Sequence, residues 1–195
     1  VVIIINLVRI IFTYFNFTIL KQNDSLLLTY GLLNTKNTIL KPEKVQITTI
    51  SRNYFQKKMN VLELKIRQAS SGIANEKNSI VDIPGCNELE RDEILKLLYA
   101  VIPEKGLMLK PNFRKLVFAL FLTIVLPLMG FYAFRTINPE LFSTVDYYVP
   151  AYILLVGTVQ FFKFKNNRLF VNDNFIIKQS GVWDIHLDII EPMKV

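Results

Sequence analysis

The sequence predicts an α+β protein with membrane helices. A strand-rich stretch covers residues 17–83, helical periodicity follows at residues 88–101, and two apolar segments follow at residues 116–134 and 147–162. The first apolar segment is 19 residues without a charge, close to the ~20 with which a helix crosses a hydrocarbon core of roughly 30 Å. Hydrophobic residues make up 51% of the chain, and they concentrate in a few blocks. This pattern favours one modest folded domain joined to membrane segments.

Residues 1–15 are strongly apolar but contain Asn6 and Arg9. A signal peptide would show a basic start and a small-residue cleavage site, and neither is present. We therefore predict the end of a transmembrane helix here. Because the sequence starts at Val1 and stops at Val195 within an apolar alternating stretch, we expect it to be part of a longer chain.

Residues 16–110 are predicted to form a domain built mainly of antiparallel strands. The clearest alternation runs from Val61 to Arg67, where Leu62, Leu64 and Ile66 lie on one face and mostly charged side chains on the other. One predicted strand covers residues 45–55, and turn residues separate the runs at 23–24, 31, 41–42, 57–60 and 70–72. The pattern indicates a sheet with one solvated face.

A helix is predicted from about Glu88 to Val101. Asn87 and Glu90 have the spacing of a capping box, and acidic residues fill the first turn. The apolar stripe expected to cover the sheet consists of Leu89, Ile94, Leu97, Leu98 and Val101.

Two transmembrane helices are predicted at residues 113–135 and 147–164, joined by an extracytoplasmic loop at residues 136–146. Basic residues flank both outer ends of this pair, namely Lys110, Arg114, Lys115, Lys163, Lys165 and Arg168. Under the positive-inside rule these flanks are cytoplasmic. We therefore expect a multi-pass protein of the bacterial cytoplasmic membrane with its folded domains in the cytoplasm.

An internal repeat is predicted at an offset of 150 residues. It aligns Gly31 with Gly181 and Pro42 with Pro192, and it brings residues 1–14 onto the apolar residues 151–164. Chance similarity between strand-rich stretches is the alternative, but the shared order of apolar block, strand, glycine, strand and proline favours a repeat. Residues 167–195 are thus predicted to begin a second, truncated domain, with both glycines in turns that need an unhindered backbone.

Five short motifs carry a family resemblance. They are Tyr30-Gly31-Leu32-Leu33, Leu40-Lys41-Pro42-Glu43-Lys44-Val45-Gln46, Asn53-Tyr54-Phe55-Gln56-Lys57-Lys58, Leu64-Lys65-Ile66-Arg67-Gln68-Ala69 and Ile83-Pro84-Gly85. Their order and spacing resemble the bacterial pleckstrin-homology-like (PH-like, bPH2) family of membrane proteins, which includes the YdbS and YdbT type. The resemblance implies a bent antiparallel β-barrel or sandwich capped by a C-terminal helix, alternating with membrane helix pairs. It gives Gly31, Pro42, Gln46, Gly181 and Pro192 structural roles and implies no enzyme.

No constellation in the sequence predicts catalysis, a cofactor or a metal. The chain has one histidine, His186, and one cysteine, Cys86, whereas metal and acid–base sites need several ligands or a partnered base. The acids near residue 90 are better explained as helix-dipole partners. No helix carries the clusters of basic residues that nucleic-acid binding requires.

The charge pattern gives a candidate membrane-surface site. Nine Lys and Arg against three acids lie between Lys21 and Arg67, in a chain of net charge +7. Candidate contacts with anionic lipid headgroups are Lys41, Lys44, Arg52, Lys57 and Lys58; ordinary solubility is the alternative. We expect a non-enzymatic scaffold that binds anionic lipid, a partner protein or its own repeats, with an accessory subunit of a membrane transport or secretion complex as the alternative.

Overall fold

The computed structural model describes residues 2–22, 25–69, 80–137 and 145–194. Its helices are α1 (Val2–Tyr14), α2 (Tyr54–Lys58), α3 (Glu88–Tyr99), α4 (Phe113–Ile137) and α5 (Val149–Asn166). Its strands are β1 (Thr18–Gln22), β2 (Ser25–Tyr30), β3 (Lys36–Leu40), β4 (Val45–Arg52), β5 (Leu62–Gln68), β6 (Ile80–Cys86), β7 (Leu107–Leu109), β8 (Arg168–Val171), β9 (Ile176–Ser180) and β10 (Ile185–Ile190). The turns predicted at 23–24 and 70–72, and most of the predicted loop at 136–146, lie outside the described residues.

Two antiparallel sheets enclose the core. One contains β1, β2 and β3, and the other has the order β6-β5-β4-β10-β9-β8-β7. The predicted alternation of β5 is confirmed, because Leu62, Leu64 and Ile66 are buried. They share one hydrophobic cluster with side chains from the first sheet and from α3.

Helix α3 covers this core with a narrower stripe than predicted. Its capping box is confirmed, since Asn87 Oδ1 accepts from the Glu90 N–H and a Glu90 carboxylate oxygen accepts from the Asn87 N–H, each at 2.9 Å. The helix ends at Tyr99, where Ala100 adopts a left-handed conformation, instead of at Val101. The buried stripe is formed by Ile94, Leu95, Leu98 and Tyr99, whereas Leu89, Leu97 and Val101 are exposed. Residues 94/98 and 95/99 are i, i+4 pairs, which place one continuous stripe on the sheet.

Helix α2 replaces the predicted end of a strand. The sequence pattern extended β4 to Phe55 and placed a hairpin turn at residues 57–60. Asn53 ends the strand instead, because its side chain accepts from the Gln56 N–H while the Gln56 side chain accepts from the Asn53 N–H, both at 2.8 Å. This second capping box starts a helix of five residues.

The strands of residues 168–190 join the same sheet as β4. Strand β10 pairs with β4 from Ile185 opposite Arg52 to Ile190 opposite Ile47, and β8 pairs with β7. On this joint Thr49 donates to Asp188 at 2.8 Å and Ser51 bonds to His186 at 2.7 Å. Strand β10 therefore occupies the edge of β4 opposite β5, and β9 and β8 continue the same sheet. The predicted separate second domain is not confirmed.

The meander β8-β9-β10 has the same pairing register as the meander β1-β2-β3. Thr18 pairs with Thr29 and Arg168 with Gln179, while Leu26 pairs with Leu40 and Ile176 with Ile190. Each pair of the second meander is obtained by adding 150 to both numbers of the first. A 3₁₀ turn follows each meander, at Pro42–Lys44 and at Pro192–Lys194.

Among the described residues, α4 alone is long and apolar enough to cross a membrane. The last turn of helix α5 contains Lys163, Lys165 and Asn166, and these polar residues lower its mean hydropathy. The two helices contact each other: the Tyr152 hydroxyl donates to the Thr123 carbonyl at 2.5 Å, and the Phe113 and Phe164 rings lie edge to face at 6.4 Å. A wide π-helical turn at Phe121–Val125 precedes Pro127 in α4.

Candidate functional site

The candidate site lies at the end of the second sheet from which α4 and α5 extend. The side-chain amide of Asn166, at the end of α5, donates to the carbonyls of Gly181 and Val182 at 3.2 and 3.4 Å. This contact holds the β9–β10 turn against the base of α5. Because Arg52 lies opposite Ile185, the end of β4 and the following α2 lie at the same end of the sheet.

A cavity of about 490 Å³ lies between α2 and the β9–β10 turn. Four cationic side chains line it, namely Arg52, Lys57, Arg91 and Lys105, together with Tyr54 and Trp183. The described residues that line it include no acid. The cavity, here called the basic cavity, therefore suits an anionic group that also has an apolar part.

Arg52 is the fixed member of this group. Its guanidinium forms an ion pair with Glu88 and donates to the Lys57 carbonyl at 3.2 Å and to Asn60 Oδ1 at 3.3 Å. Its Nε is buried without a hydrogen-bond partner. Arg52 thus ties β4, α2 and the start of α3 together, and part of its charge is already neutralised.

The remaining cations differ in how free they are. Arg91 is paired with Asp92 at 2.8 Å, and Lys105 Nζ lies 5.0 Å from the centre of the Phe170 ring. Lys57 is exposed on α2. Lys57 and Lys105 are therefore the side chains best able to change conformation and contact a bound anion.

Helix α2 adds an aromatic surface beside the basic cavity. Tyr54, Phe55 and Met59 are exposed at this tip, and Lys58 Nζ lies 5.0 Å from the centre of the Tyr54 ring. Aromatic rings combined with lysines are the composition typical of a membrane–water interface. Sequence reasoning found the lysines but missed the helix, whose signal was the Asn53–Gln56 spacing.

The five predicted lipid contacts are not all brought together. Arg52, Lys57 and Lys58 lie at the α2 end of β4, whereas Lys41 and Lys44 flank the 3₁₀ turn before β4, at its other end. The backbone at that end is held by Gln68, whose side chain accepts from the Lys41 N–H at 2.9 Å and donates to the Ile39 carbonyl at 3.3 Å. The eight residues of β4 separate the two groups by about 23 Å.

Comparison with known protein families decides the family. The sequence model described as "Bacterial PH domain" matches residues 1–102, a little more than half of the chain. The chain belongs to the bacterial PH domain family. Searches of curated proteins and of solved structures found no significant match.

The family motifs of this bacterial PH protein occupy backbone positions with special demands. Gly31 and Gly181 have φ of +113° and +122°, and a Cβ on either would lie within 2.3 Å of a carbonyl oxygen, that of Asn34 or of Asp184. Pro42 and Pro192 open the two 3₁₀ turns. Gln46 lies at a bulge in the pairing of β4 with β5. These five residues fix turns and strand registers of the two meanders and of β4.

Within the described part of this bacterial PH protein, no group of three or more His, Cys, Asp or Glu could hold a metal ion. Burial, with a smaller effect of Glu90, raises the pKa of the Cys86 thiol to about 11. A thiol with so high a pKa is a poor nucleophile at neutral pH. His186 bonds to Ser51 at the β4–β10 joint.

Proposed function

We propose that this bacterial PH protein is a non-enzymatic, membrane-anchored scaffold on the cytoplasmic face of the bacterial cytoplasmic membrane, and that its basic cavity binds anionic lipid headgroups. The basic cavity carries the proposal, because it combines four cations and two aromatic rings at the end of the sheet next to α4 and α5. Membership of the family supports a scaffold or binding module.

Anchoring occurs through α4 and α5 as a transmembrane hairpin. Pro127 has no N–H for the Thr123 carbonyl four residues earlier, and the Tyr152 hydroxyl donates to that carbonyl. Gln160 approaches the Thr123 hydroxyl at 3.5 Å. The polar groups of the two helices thus have partners within the pair, as hydrocarbon surroundings require.

Lipid binding follows from the position of the basic cavity. Lysine and arginine near an anionic leaflet each contribute roughly 1 kcal/mol of attraction. The exposed rings of α2 and the Trp183 ring reach the interface, where aromatic side chains are favoured. The basic residues at both outer ends of the hairpin orient the PH domain toward the cytoplasm.

The scaffold is built of repeated units. The identical registers of β1-β2-β3 and β8-β9-β10 support a duplication, as does the helix that precedes each meander. A partner protein in place of lipid would favour an accessory subunit of a transport or secretion complex. However, Gln160 approaches the Thr123 hydroxyl inside the α4–α5 pair, so this polar side chain needs no contact with another subunit.

The lone tryptophan makes lipid binding measurable. Trp183 lines the basic cavity, so its fluorescence should report lipid binding there. The chain is placed in nanodiscs of phosphatidylcholine alone or mixed with phosphatidylglycerol. Trp183 emission and its quenching by acrylamide are then recorded. We expect a shorter emission wavelength and weaker quenching with phosphatidylglycerol. The paired changes Lys57→Gln and Lys105→Gln should abolish this response.

Lys41→Gln with Lys44→Gln is the matched control, because it removes the same charge at the other end of β4. This control should keep the response to phosphatidylglycerol. Equal emission in both lipids, or an equal loss of response in the control, would contradict lipid binding at the basic cavity.

A further inference from the structure

The two meanders present the same apolar row but differ in what covers it. In β8-β9-β10 the row is Phe170, Ile177 and Ile189, which pair across the strands and are 7%, 3% and 3% exposed. In β1-β2-β3 the equivalent row is Leu20, Leu27 and Ile39. Leu20 is 58% and Ile39 60% exposed.

The apolar row of the second meander is covered by the PH unit that precedes it in the chain. Phe175, directly before β9, lies edge to face with Tyr99 of α3 at 5.3 Å. Ile189 lies opposite Thr48, which is bonded to the Tyr99 hydroxyl at 2.8 Å. On the far edge, β7 pairs with β8, with Met108 opposite Phe170. Tyr99 of α3 thus packs on this face, and β4 and β7 pair with the two edges of the meander.

The first meander uses its other face for its own core. Leu26, Leu28 and Leu40 point into the hydrophobic cluster, which leaves the row of Leu20, Leu27 and Ile39 outside. Among the described residues, β1 is also the end strand of its sheet, with no strand paired to its outer edge. An exposed apolar row beside an open strand edge is a surface that favours strand addition.

We infer that this outer face of β1-β2-β3 is a docking surface for another bacterial PH unit, whose α3-type helix covers Leu20, Leu27 and Ile39 and whose β7-type strand pairs with β1. The inference rests on the repeat proposed above. The register that pairs Met108 with Phe170 would place the Met108 equivalent of the docked unit opposite Leu20. Gln68 already occupies the end of β3, so the main contacts are the apolar row and the edge of β1.

The occupant is a unit of the same kind because the two apolar rows match in position. A free copy of this chain has no α3 face to offer, since residues 168–190 already fill it. A unit placed directly before residue 1 in the register of the repeat has that face open. Meanders would then lie between successive units and join them into one continuous array.

A tandem chain tests this directly. Residues 1–150 are fused before residues 1–195, which reproduces the offset of the repeat, and Cys86→Ala removes the native thiol from both units. Leu20→Cys in the downstream unit should then react with maleimide at least about tenfold more slowly than in the single chain, because labelling would require local opening.

Leu33→Cys is the matched control. Leu33 is 80% exposed and its equivalent, Trp183, remains 68% exposed under the preceding unit, so its labelling should be the same in both chains. Leu64→Cys, at a buried position, should stay unlabelled and reports that the downstream unit is folded. Equal labelling of Leu20→Cys in the tandem and single chains would overturn the inference.

A second measurement does not depend on thiols. Leu20→Lys with Ile39→Lys should leave the unfolding of the single chain nearly unchanged, because exposed substitutions usually stay within about 0.5 kcal/mol. In the tandem chain the same pair in the downstream unit should lower the unfolding temperature. Equal effects in both chains would contradict docking.

The docking test and the lipid test fail separately. If docking fails while Trp183 still responds to phosphatidylglycerol, the lipid-binding scaffold stands without the array.

Discussion

Tyr99 is the residue through which α3, β4 and the second meander meet. Its hydroxyl bonds to Thr48 Oγ1 at 2.8 Å, its ring lies edge to face with Phe175, and Lys194 Nζ lies 5.4 Å from its ring centre. Thr48 is fully buried. Because burial keeps both hydroxyls away from water, each relies on the other for its hydrogen bond.

Tyr99→Phe should destabilise the protein by about 1–3 kcal/mol, the cost of leaving the Thr48 hydroxyl buried and unpaired. Adding Thr48→Val removes the orphaned group, so the double variant should be more stable than Tyr99→Phe alone. Denaturant unfolding in mild detergent measures both values. Strictly additive losses from the two substitutions would show that the hydroxyls do not depend on each other.

Cys86 provides a pH test of the same core. Burial raises the pKa of its thiol from 9.0 to about 11, so as the pH rises the unfolded chain loses this proton first. The stabilisation linked to the neutral thiol is complete below pH 9 and is lost between pH 9 and about 11.

The difference in unfolding free energy between the native chain and Cys86→Ala should therefore be constant below pH 9 and then shift against the native chain. Burial also raises the pKa of Tyr99, to about 12, but this affects both chains equally. A difference independent of pH would contradict the buried thiol.

At the scale of elements, the contact between α4 and α5 includes a hydrogen bond to one backbone carbonyl. Thr123 accepts from Tyr152 across the pair, next to the π-helical turn and Pro127. A wide turn and a proline both leave backbone groups without regular partners. The neighbouring helix supplies the missing donor.

Tyr152→Phe removes that donor and should weaken the association of α4 with α5 by about 1 kcal/mol, the scale of interhelical hydrogen bonds in membranes. Thermal unfolding in detergent and hydrogen exchange of α4 residues near Thr123 report the change. Tyr147→Phe is the control, because Tyr147 is highly exposed. A Tyr147→Phe variant as unstable as Tyr152→Phe would show that the Thr123 contact is not responsible.

At the scale of the whole molecule, local patterns predicted the parts better than their assembly. The buried face of β5 and the capping box of α3 follow from spacings of two and three residues, whereas the glycine turns follow from the 150-residue repeat. Helix α2 was missed because a strand pattern extended across its cap at Asn53. The pairing of β10 with β4 was not predictable, because the partners lie more than 130 residues apart and no local period encodes that contact.

The candidate site shows the same division. Lys57 and Arg52 were found in the sequence because they lie in one basic stretch. Arg91, Lys105 and Trp183 come from three other segments, and Trp183 joins the basic cavity only when the second meander pairs with β4. Their contribution depends on tertiary pairing, so a charge count along the chain could not reveal it.

The pairing of β4 with β10 can be tested by a crosslink, because the outer face of the sheet identifies its register. Thr49 lies directly opposite Asp188 and bonds to it at 2.8 Å, while Lys178 lies one strand further on.

With Cys86→Ala as background, Thr49→Cys and Asp188→Cys should form an intramolecular disulfide under mild oxidation, since directly opposed Cβ atoms lie roughly 4.5–5.5 Å apart. Thr49→Cys with Lys178→Cys should crosslink far more slowly, because the intervening strand roughly doubles the separation. Non-reducing electrophoresis distinguishes the two variants. Equal crosslinking would mean that residues 168–190 do not hold this register, and the basic cavity would then lose Trp183 and one of its walls.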